Sequence, residues 1–416
     1  MIERYLPVEF TLDQCIKCNI CVSRCPVAPV TDLFPGPKYE GPQAGRFRVA
    51  SDSSPDSSVD YCSGCRVCNL VCPTGVKIAE INARARARMV ESGNFSRRIR
   101  LRNNLIARSE LIGKVGQPLA PIANAILEMS FTRKLVESTL AIHQNAPLPT
   151  FSKEKFSAWY KKHKKPDNLQ RKVVYFHGCS TEYYEPRVGK AAVHVLEMNG
   201  FEVLIPPQNC CGLPLLSNGE FPAARKYHTR NVSTLYDYAK KDIPIIGTST
   251  SCTLTLKEEA RELLGMDDEM TLSIARSTYD IHEFLLMLLS EGSLCTDFRE
   301  IKLKIPYHPP CQYRAHRLGL PSLEILNLIP GLEIIESDHS CCGIAGTYGY
   351  KSEKYEIARK VGEPLFEFLR KNSNKLVLCD SETCRWQITH ATGLWTIHPV
   401  EILAYAYGFP CELSMD

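Results

Sequence analysis

Nineteen cysteines are spread unevenly along this 416-residue chain, and eight of them fall into two short runs with identical spacing. The first run is Cys15-x2-Cys18-x2-Cys21-x3-Cys25-Pro26, and the second is Cys62-x2-Cys65-x2-Cys68-x3-Cys72-Pro73. No cysteine lies between Cys72 and Cys179, and the other eleven follow from Cys179 onward. The spacing constrains the fold, because each run must gather its sulfur atoms within one short loop.

Both runs match the pattern of bacterial ferredoxins, in which three thiolates of one loop bind one [4Fe–4S] cluster and the fourth binds the other cluster. The pattern predicts two ligand sets, which are Cys15, Cys18, Cys21 and Cys72 for cluster 1, and Cys62, Cys65, Cys68 and Cys25 for cluster 2. Zinc is the alternative, because four cysteines also suit a tetrahedral site. Zinc sites pair two Cys-x2-Cys knuckles and do not run four cysteines together, so the spacing favours clusters.

The rest of the composition is that of an ordinary globular protein, with 23% charged and 44% hydrophobic residues. The formal net charge of +4 is too small to indicate nucleic acid binding. The first residues, Met1-Ile2-Glu3-Arg4-Tyr5, lack the apolar centre of a signal peptide, and no apolar run approaches the roughly 18 residues of a membrane span. We therefore expect a cytoplasmic protein, in which thiols stay reduced and clustered cysteines more often hold metal.

The segment between the two cysteine-rich parts is first basic and then amphipathic. Its eight clustered arginines are Arg84, Arg86, Arg88, Arg97, Arg98, Arg100, Arg102 and Arg108. They predict either a solvated helix face or a surface for anionic lipid headgroups or an acidic partner. Residues 119–143 predict one or two helices with two apolar stripes, Leu127, Phe131, Leu135 and Ile142 on one and Ile122, Met129, Val136 and Leu140 on the other. Either both stripes are buried, or one contacts a partner or a membrane interface.

The C-terminal half contains an internal repeat of a cysteine, a Cys-Cys-Gly element and a last cysteine, each following a short apolar segment. The cysteines of the two copies are Cys179, Cys210, Cys211 and Cys252, and Cys311, Cys341, Cys342 and Cys384. Short apolar strands alternating with helical segments predict parallel α/β units, whose loops at the carboxyl ends of the strands open onto one crevice. We therefore expect the cysteines of each copy to converge, with the glycine permitting a tight turn.

The converging cysteines have three interpretations: core residues, metal or cluster ligands, or redox-active thiols. Core packing gives no reason for the same adjacent pair in both copies, so the two chemical interpretations are favoured. His177, His308 and His398 either support such a site or, as we expect, are structural histidines with satisfied hydrogen bonds. Cys295 and Cys411 fit no pattern and are interpreted as isolated thiols.

These patterns predict a multidomain α+β protein. An α-helical, ferredoxin-like domain with two [4Fe–4S] clusters is followed by a duplicated α/β Cys-Cys-Gly domain. The expected boundaries are 1–95 for the two-cluster domain, 96–170 for the connecting segment, 171–295 for the first repeat and 296–416 for the second.

Several longer motifs carry a resemblance to a known family. They are Cys15-Ile16-Lys17-Cys18, Phe34-Pro35-Gly36-Pro37-Lys38, Phe176-His177-Gly178-Cys179 and Cys341-Cys342-Gly343-Ile344-Ala345-Gly346-Thr347-Tyr348-Gly349. With them the chain resembles the iron–sulfur subunits of the heterodisulfide reductase and glycolate oxidase superfamily, and within it those of anaerobic glycerol-3-phosphate dehydrogenases. The resemblance implies flavoprotein dehydrogenase partners, electron relay to membrane quinone, and a peripheral position on the cytoplasmic face of the inner membrane. The alternative that it implies is redox chemistry at the Cys-Cys-Gly sites, or service to lactate or glycolate oxidation.

The sequence departs from the superfamily at the end of each repeat. The fuller repeat of the superfamily ends in Cys-x-x-Cys and holds an unusual [4Fe–4S] cluster, whereas this chain has Ser249 and Ser381 in the first position. Four cysteines remain in each copy, so the resemblance still allows one or two further clusters. Cys379, two residues before Ser381, could substitute through a shift of the loop.

Overall fold

The structure, a computed structural model, describes residues 8–48, 57–93, 95–167, 169–373 and 375–410. Cys411 lies outside the described residues. The chain forms a small helical part around the two cysteine runs, a helical connecting segment and two four-stranded parallel sheets. The predicted multidomain α+β architecture, helical at first and α/β afterwards, is confirmed.

The N-terminal part consists of short turns and one longer helix. Its helices are α1 (Ile20–Ser23), α2 (Val67–Leu70) and α3 (Ile78–Glu91). Helices α1 and α2 each follow the second cysteine of a run. Helix α3 packs Ile78 and Ile81 against Cys21 and Cys68, which ties both cysteine loops to one apolar core.

The described part of the connecting segment contains five α-helices. They are α4 (Arg97–Ile106), α5 (Ser109–Gly116), α6 (Ala120–Glu128), α7 (Ser130–Leu140) and α8 (Phe156–Tyr160). Helices α6 and α7 are separated at Met129, whose ψ of 125° is extended. The break changes which residues share a face, because Leu127, Val136 and Leu140 line an internal cavity while Ile122 and Phe131 are exposed. The predicted membership of the two stripes is therefore wrong, although one apolar face does point inward and the other outward.

Several of the clustered arginines join parts of the molecule, an outcome that neither sequence interpretation includes. Arg102 is buried and pairs with both carboxylate oxygens of Glu353, at 2.6 and 2.7 Å. Arg86 donates to the carbonyl oxygens of Val59 and Ser217, at 3.1 Å each. Two further arginines bind in the same manner, Arg84 to the Glu262 carbonyl and Arg108 to the Glu220 carboxylate. Exposed arginines remain on α4, and they are Arg97, Arg98 and Arg100.

The C-terminal half contains two parallel sheets with the same strand order. The first sheet comprises β1 (Arg171–Phe176), β2 (Phe201–Leu204), β3 (Ile245–Gly247) and β4 (Thr278–Asp280), in the order β2-β1-β3-β4. The second comprises β5 (Leu303–His308), β6 (Leu332–Glu336), β7 (Leu376–Cys379) and β8 (Trp395–Ile397), in the order β6-β5-β7-β8. The identical order confirms the predicted duplication of parallel α/β units.

Helices connect and cover these strands. Those of the first repeat are α9 (Gly178–Tyr183), α10 (Pro186–Met198), α11 (Leu213–Ser217), α12 (Phe221–Ala239), α13 (Thr250–Leu254), α14 (Ala260–Leu264), α15 (Glu269–Ser277) and α16 (Ile281–Ser290). Those of the second are α17 (Cys311–Ala315), α18 (Pro321–Leu326), α19 (Ser352–Asn372), α20 (Glu382–Thr392) and α21 (Pro399–Ala406). Because β1 and β5 are covered on both faces, their last four residues are all buried.

The two repeats pack on each other with a pseudo-twofold relationship. Helix α10 of the first repeat packs on α21 of the second. The equivalent pair, α18 of the second repeat and α16 of the first, packs in the same way. One apolar core runs through both sheets and includes Tyr175 and Tyr307. The carboxyl ends of both sets of strands therefore open onto one shared space.

Candidate metal centres and the cavity between them

Both cysteine runs adopt the same strained loop. Lys17 and Asn19 flank the second cysteine of the first run with φ of 62° and 66°, and Gly64 and Arg66 flank that of the second with φ of 68° and 62°. Left-handed backbone costs roughly 1–2 kcal/mol for a residue with a side chain, and such strain concentrates at ligand-binding loops. The sequence signal is weak, since only one of the four residues is glycine.

The thiols of the two runs come together in two groups, and each group takes three thiols from one run and one from the other. The first group is Cys15, Cys18, Cys21 and Cys72, and the second is Cys25, Cys62, Cys65 and Cys68. Burial raises the pKa of Cys21, and the nearby Cys15 and Cys72 thiols raise it further. The second group lines one small cavity. Four thiols around one centre suit a [4Fe–4S] cluster, and the ligation itself stays a prediction.

Several donors point at the sulfur atoms of these groups. The Val76 amide lies 3.3 Å from Cys72 Sγ, and the Asn82 side-chain amide lies 3.4 Å from Cys62 Sγ. Burial opposes ionisation of Cys72, but the hydrogen bonds from the Thr74 side chain and from backbone amides outweigh it and lower the pKa. These donors favour the thiolate form, which is the form that binds iron.

In the first repeat the four predicted cysteines converge as expected. Cys179 lies in the first turn of α9, Cys210 and Cys211 lie in the loop after β2, and Cys252 lies on α13. The sulfur atoms of Cys179 and Cys210 are 3.6 Å apart. A hydrogen bond from Cys210 lowers the pKa of Cys211, but its own hydrogen bond to Cys252 and its burial outweigh this and raise the pKa. The hydrogen bond from Cys211 lowers the pKa of Cys252, but burial and the nearby Glu382 raise it.

Two residues of the connecting segment contact this site, and the sequence pattern did not indicate either. Ser109 Oγ lies 3.6 Å from Cys179 Sγ, and Glu110 accepts a 2.8 Å hydrogen bond from the Cys210 amide. Both residues stand at the start of α5, which is remote from the repeat in sequence. The only signal available was the polar Ser-Glu pair opening an amphipathic helix.

In the second repeat five thiols converge instead of the predicted four. Cys311, Cys341, Cys342 and Cys384 come together, and the sulfur atoms of Cys342 and Cys384 are 3.0 Å apart. Cys379, at the end of β7, is buried beside Cys384. Hydrogen bonds from the Cys342 and Cys379 thiols lower the pKa of Cys384 well below its usual value, and the neighbouring His308 lowers it further. The structure thus brings Cys379 to the site without a shift of the loop.

The two serines that replace cysteine have different surroundings. The Ser249 hydroxyl accepts a 3.3 Å hydrogen bond from the Cys252 amide and donates a 3.1 Å hydrogen bond to Glu382 of the second repeat. Ser381 Oγ lies 3.5 Å from Thr383 Oγ1. Ser249 therefore caps helix α13 and links the two repeats.

The three histidines divide into two kinds. His177 Nδ1 lies 2.8 Å from the Gly178 carbonyl oxygen, and His398 Nε2 lies 2.9 Å from the Thr248 carbonyl oxygen. These two are satisfied structural histidines, as predicted. His308 is different, because it is buried and its ring faces the Cys384 thiol of the second repeat and not a carbonyl oxygen. For His308 the structure favours the other alternative, a group that supports the cysteine site.

A cavity of about 430 Å³ lies between the two repeat sites. Its floor includes cysteines of both repeats, namely Cys179, Cys210, Cys211, Cys252, Cys311, Cys341, Cys342 and Cys384. Its walls include apolar side chains of the connecting segment, namely Leu105, Ile106, Ile112, Leu127, Val136 and Leu140. The arrangement offers an apolar ligand direct access to both sets of thiols.

Cys65 joins the N-terminal part to the second repeat. It lines both the small cavity of its own group and the large cavity between the repeats. Burial raises the pKa of Cys65, and the nearby Cys341 thiol is the largest further cause. The second group of the N-terminal part therefore lies next to the thiols of the second repeat.

The outer face of α6 and α7 is apolar and open to solvent. Its exposed residues are Leu119, Ile122, Ile126, Met129, Phe131 and Leu135, with exposed fractions of 46–73%. In the described part of the chain, no helix combines the length and the apolar character needed to cross a membrane.

Comparison with known proteins agrees with this architecture. A family model described as "4Fe-4S dicluster domain" matches residues 11–76, and one described as "Cysteine-rich domain" matches residues 173–257 and 305–389. An anaerobic glycerol-3-phosphate dehydrogenase subunit from Escherichia coli K12 is 37% identical over 402 residues, which cover 96% of this chain and 99% of the relative. The chain belongs to the same family of anaerobic glycerol-3-phosphate dehydrogenase subunits. Both the resemblance drawn from the motifs and the prediction of two [4Fe–4S] clusters are confirmed.

More distant relatives share most of the chain length. One subunit of the fumarate reductase (CoM/CoB) of Methanothermobacter marburgensis is 26% identical over 97% of this chain and 74% of the relative. A probable glycolate oxidase iron–sulfur subunit of Bacillus subtilis is 23% identical over 91% of this chain and 89% of the relative. This chain is thus an iron–sulfur protein whose architecture also occurs in complexes named for other substrates.

Proposed function

We propose that this chain is the electron-transfer subunit of an anaerobic glycerol-3-phosphate dehydrogenase complex. In this proposal it accepts electrons from flavin-bearing partner subunits and passes them to membrane quinone. The observation that carries the proposal is the position of Cys65, which lines both the small N-terminal cavity and the large cavity between the repeats. The 37% identical relative, named as part of such a dehydrogenase, supports the choice of partner.

The proposal includes a ligand set for each centre. The N-terminal clusters are held by Cys15, Cys18, Cys21 and Cys72, and by Cys62, Cys65, Cys68 and Cys25. The repeat sites use Cys179, Cys210, Cys211 and Cys252, and Cys311, Cys341, Cys342 and Cys384. When bound, [4Fe–4S] clusters take up and release single electrons. The protein holds their thiolates through strained loops, directs backbone donors at the sulfur atoms, and buries most of them away from water.

The large cavity suits an apolar acceptor such as a quinone. Its walls are mostly aliphatic, and pockets of this kind bind apolar ligands with a few polar groups for orientation. Glu382 and Gln312 line it, and each has a buried oxygen atom with no hydrogen-bond partner among the described residues. These two acceptors suit the hydroxyl groups of the quinol that forms when the quinone is reduced. A quinone bound there would contact the thiol sites of both repeats.

The exposed face of α6 and α7 is proposed to contact the membrane. Leu127, Val136 and Leu140, on the same two helices, line the cavity, whereas Ile122 and Phe131 face outward. The exposed arginines of α4 are close by in sequence and would favour anionic lipid headgroups. A lipid-dissolved acceptor would then have a short path from bilayer to cavity.

The test uses the complex purified anaerobically with its flavoprotein subunits. Glycerol 3-phosphate should reduce the clusters, and a menaquinone analogue should reoxidise them. In Leu127→Trp, which places an indole in the cavity, we expect quinone-dependent reoxidation to slow at least tenfold while substrate-dependent cluster reduction stays unchanged. Ile126→Trp, the neighbouring residue that is 46% exposed, is the matched control and should behave like the wild type.

Three outcomes would contradict parts of the proposal. Equal quinone rates in Leu127→Trp and Ile126→Trp would remove the cavity from the reaction. Turnover of a disulfide by the isolated chain with a reduced donor would favour the heterodisulfide-reductase-like alternative. If dehydrogenase subunits that oxidise lactate or glycolate reduce the clusters faster, the chain would be assigned to one of those complexes.

A further inference from the structure

The two repeats differ in one place where their strands carry equivalent residues. In the first sheet, Phe176 pairs in register with Gly247, and in the second sheet, His308 pairs in register with Cys379. The side chains of residues paired in this manner on adjacent parallel strands point to the same face. The second repeat thus carries a histidine and a cysteine side by side, and both residue types bind metals. At the same two positions the first repeat has a phenylalanine and a glycine.

A tyrosine in each repeat fixes this equivalence. Tyr175 precedes Phe176 and its hydroxyl lies 2.8 Å from Thr248, the residue after Gly247. Tyr307 precedes His308 and donates to Asp380, the residue after Cys379, also at 2.8 Å. The last predicted cysteine follows five residues after Gly247 in the first repeat and five after Cys379 in the second. The register difference is therefore a true substitution within one motif.

His308 lies against the thiols of the second repeat. A ring nitrogen of His308 and the sulfur atoms of Cys342 and Cys384 all lie within 4.8 Å of one another. The residue is completely buried, and among the described residues its ring faces the thiol of Cys384 and meets no oxygen partner. A buried imidazole held against thiols suits a metal centre, because imidazole is a common metal ligand.

We propose that His308 is a nitrogen ligand of an iron–sulfur centre in the second repeat, together with thiols of that site, of which Cys342 and Cys384 have their sulfur atoms within 4.8 Å of its ring nitrogen. Among the described residues, the candidate ligands of the first repeat are all thiols. His177, which precedes Cys179, is bonded to the Gly178 carbonyl oxygen and packs with Phe156. The two repeats are thus duplicated in fold but differ in the chemistry of their centres.

The difference has a consequence for the redox properties of the two sites. A neutral imidazole in place of an anionic thiolate makes an iron–sulfur centre easier to reduce. The second repeat, whose thiols lie beside Cys65, would then be the more oxidising of the two repeat sites. This inference rests on the proposal that the repeats bind clusters.

The test is pulsed electron paramagnetic resonance on the reduced, anaerobic complex, with histidine labelled by ¹⁵N. We expect a strongly coupled histidine nitrogen in the wild type. It should disappear in His308→Phe, the residue that occupies this register in the first repeat, and in His308→Cys. In His308→Cys the iron content should be retained and the potential of one centre should fall. His177→Gln is the matched control and should keep the nitrogen coupling.

The possible results separate this inference from the proposed function. Iron above about eight atoms per chain, the content of two [4Fe–4S] clusters, without nitrogen coupling would overturn only the role of His308. Coupling that survives in His308→Cys would do the same. An iron content of about eight atoms per chain would also overturn the proposal that the repeats bind clusters. One zinc per chain that is lost in His308→Phe would show that this site binds zinc and not iron.

Discussion

At the scale of single residues, the two Cys-Cys-Gly glycines have the same backbone conformation but different surroundings. Gly212 and Gly343 have φ of +94° and +87°, a region that favours glycine. A Cβ atom on Gly343 would stand 1.9 Å from the Ala358 carbonyl oxygen, whereas on Gly212 its nearest contact would be 3.5 Å away. The sequence predicts the tight turn in both repeats, and only the packing against α19 distinguishes them.

We therefore expect Gly343→Ala to be much more destabilising than Gly212→Ala. The left-handed backbone alone costs roughly 1–2 kcal/mol in either variant, and the contact with the α19 backbone should add at least about 2 kcal/mol at position 343. Denaturant unfolding of the anaerobic protein, with iron content measured on the same samples, checks this difference. Equal losses of stability in the two variants would show that α19 moves away at little cost.

A second prediction at this scale concerns His228, which lies on the buried face of α12. Burial lowers the pKa of His228 to about 4, and Asp268 offsets little of this. An unfolded histidine binds a proton below about pH 6.5, so the unfolded state takes up protons that the folded state refuses. The contribution of His228 to the free energy of unfolding is therefore fully present above about pH 6.5, and it is lost as the pH falls toward 4.

The free energy of unfolding should thus fall by about 2 kcal/mol between pH 7 and pH 5 because of His228 alone. In His228→Phe this part of the pH dependence should vanish, while the difference between variant and wild type stays constant from pH 7 to pH 8. Thermal unfolding of both proteins at these pH values, monitored by circular dichroism, measures the difference in stability. Parallel pH profiles over the range 7 to 5 would contradict the prediction.

At the scale of elements, the break between α6 and α7 decides what the amphipathic segment does. A single helix would have carried both stripes along its length, but the extended backbone at Met129 redirects the chain. Residue composition predicted helix on both sides of this point, and no proline or glycine marks the break. The change of direction comes from packing over the cavity, which local propensity does not report.

The outward face of these helices carries a prediction about membrane binding. Ile122→Glu with Phe131→Glu should reduce binding to vesicles that contain anionic phospholipid by at least tenfold, because burying each added carboxylate in the interface is unfavourable. Sedimentation of the complex with vesicles measures the binding. Phe47→Glu is the control, since Phe47 is 78% exposed, comparable to Phe131 at 73%, but lies in the N-terminal part.

Activity with a water-soluble quinone analogue should stay unchanged in the double variant, because the cavity-facing residues are untouched. If vesicle binding is also unchanged, the exposed face serves another contact, such as a partner protein. Loss of binding in Phe47→Glu to the same degree would assign the membrane contact to both regions.

At the scale of the whole molecule, a buried arginine joins the N-terminal part to the first repeat. Arg66 follows Cys65 and lies 3.0 to 3.5 Å from the carboxylates of four glutamates, namely Glu80, Glu258, Glu259 and Glu262. Three of these belong to the first repeat, and Glu80 belongs to α3. The same arginine that adopts the left-handed backbone of the cysteine loop therefore fixes the position of that loop on the rest of the protein.

Replacing Arg66 with methionine should destabilise the chain by about 3–5 kcal/mol, because several buried carboxylates would lose their main positive partner. The uncoupled N-terminal part should also unfold in a separate transition and lose its iron more readily. Differential scanning calorimetry with iron analysis tests both effects. Arg46→Met is the control, because Arg46 is exposed, pairs with the exposed Asp13 and donates to the Leu12 carbonyl oxygen, and its loss should change stability by less than about 1 kcal/mol.

The sequence by itself determined the cysteine chemistry, the duplication and the parallel α/β character of the repeats. The spacing within a cysteine run limits the positions of its sulfur atoms, and the strand-loop-helix pattern predicts parallel sheets. Both signals can be detected in short stretches of sequence. It also indicated that Cys179, Cys210, Cys211 and Cys252 converge. These conclusions needed no knowledge of which parts contact each other.

Tertiary structure alone decided how the three parts combine. It brought Cys65 beside the second repeat, turned the arginines into internal links, and added Cys379 and His308 to one site. Each of these outcomes depends on contacts between residues far apart in sequence, whose free energy is set by packing and burial. The nineteen cysteines therefore predicted the kind of centre, and the fold determined which centres are neighbours and how they differ.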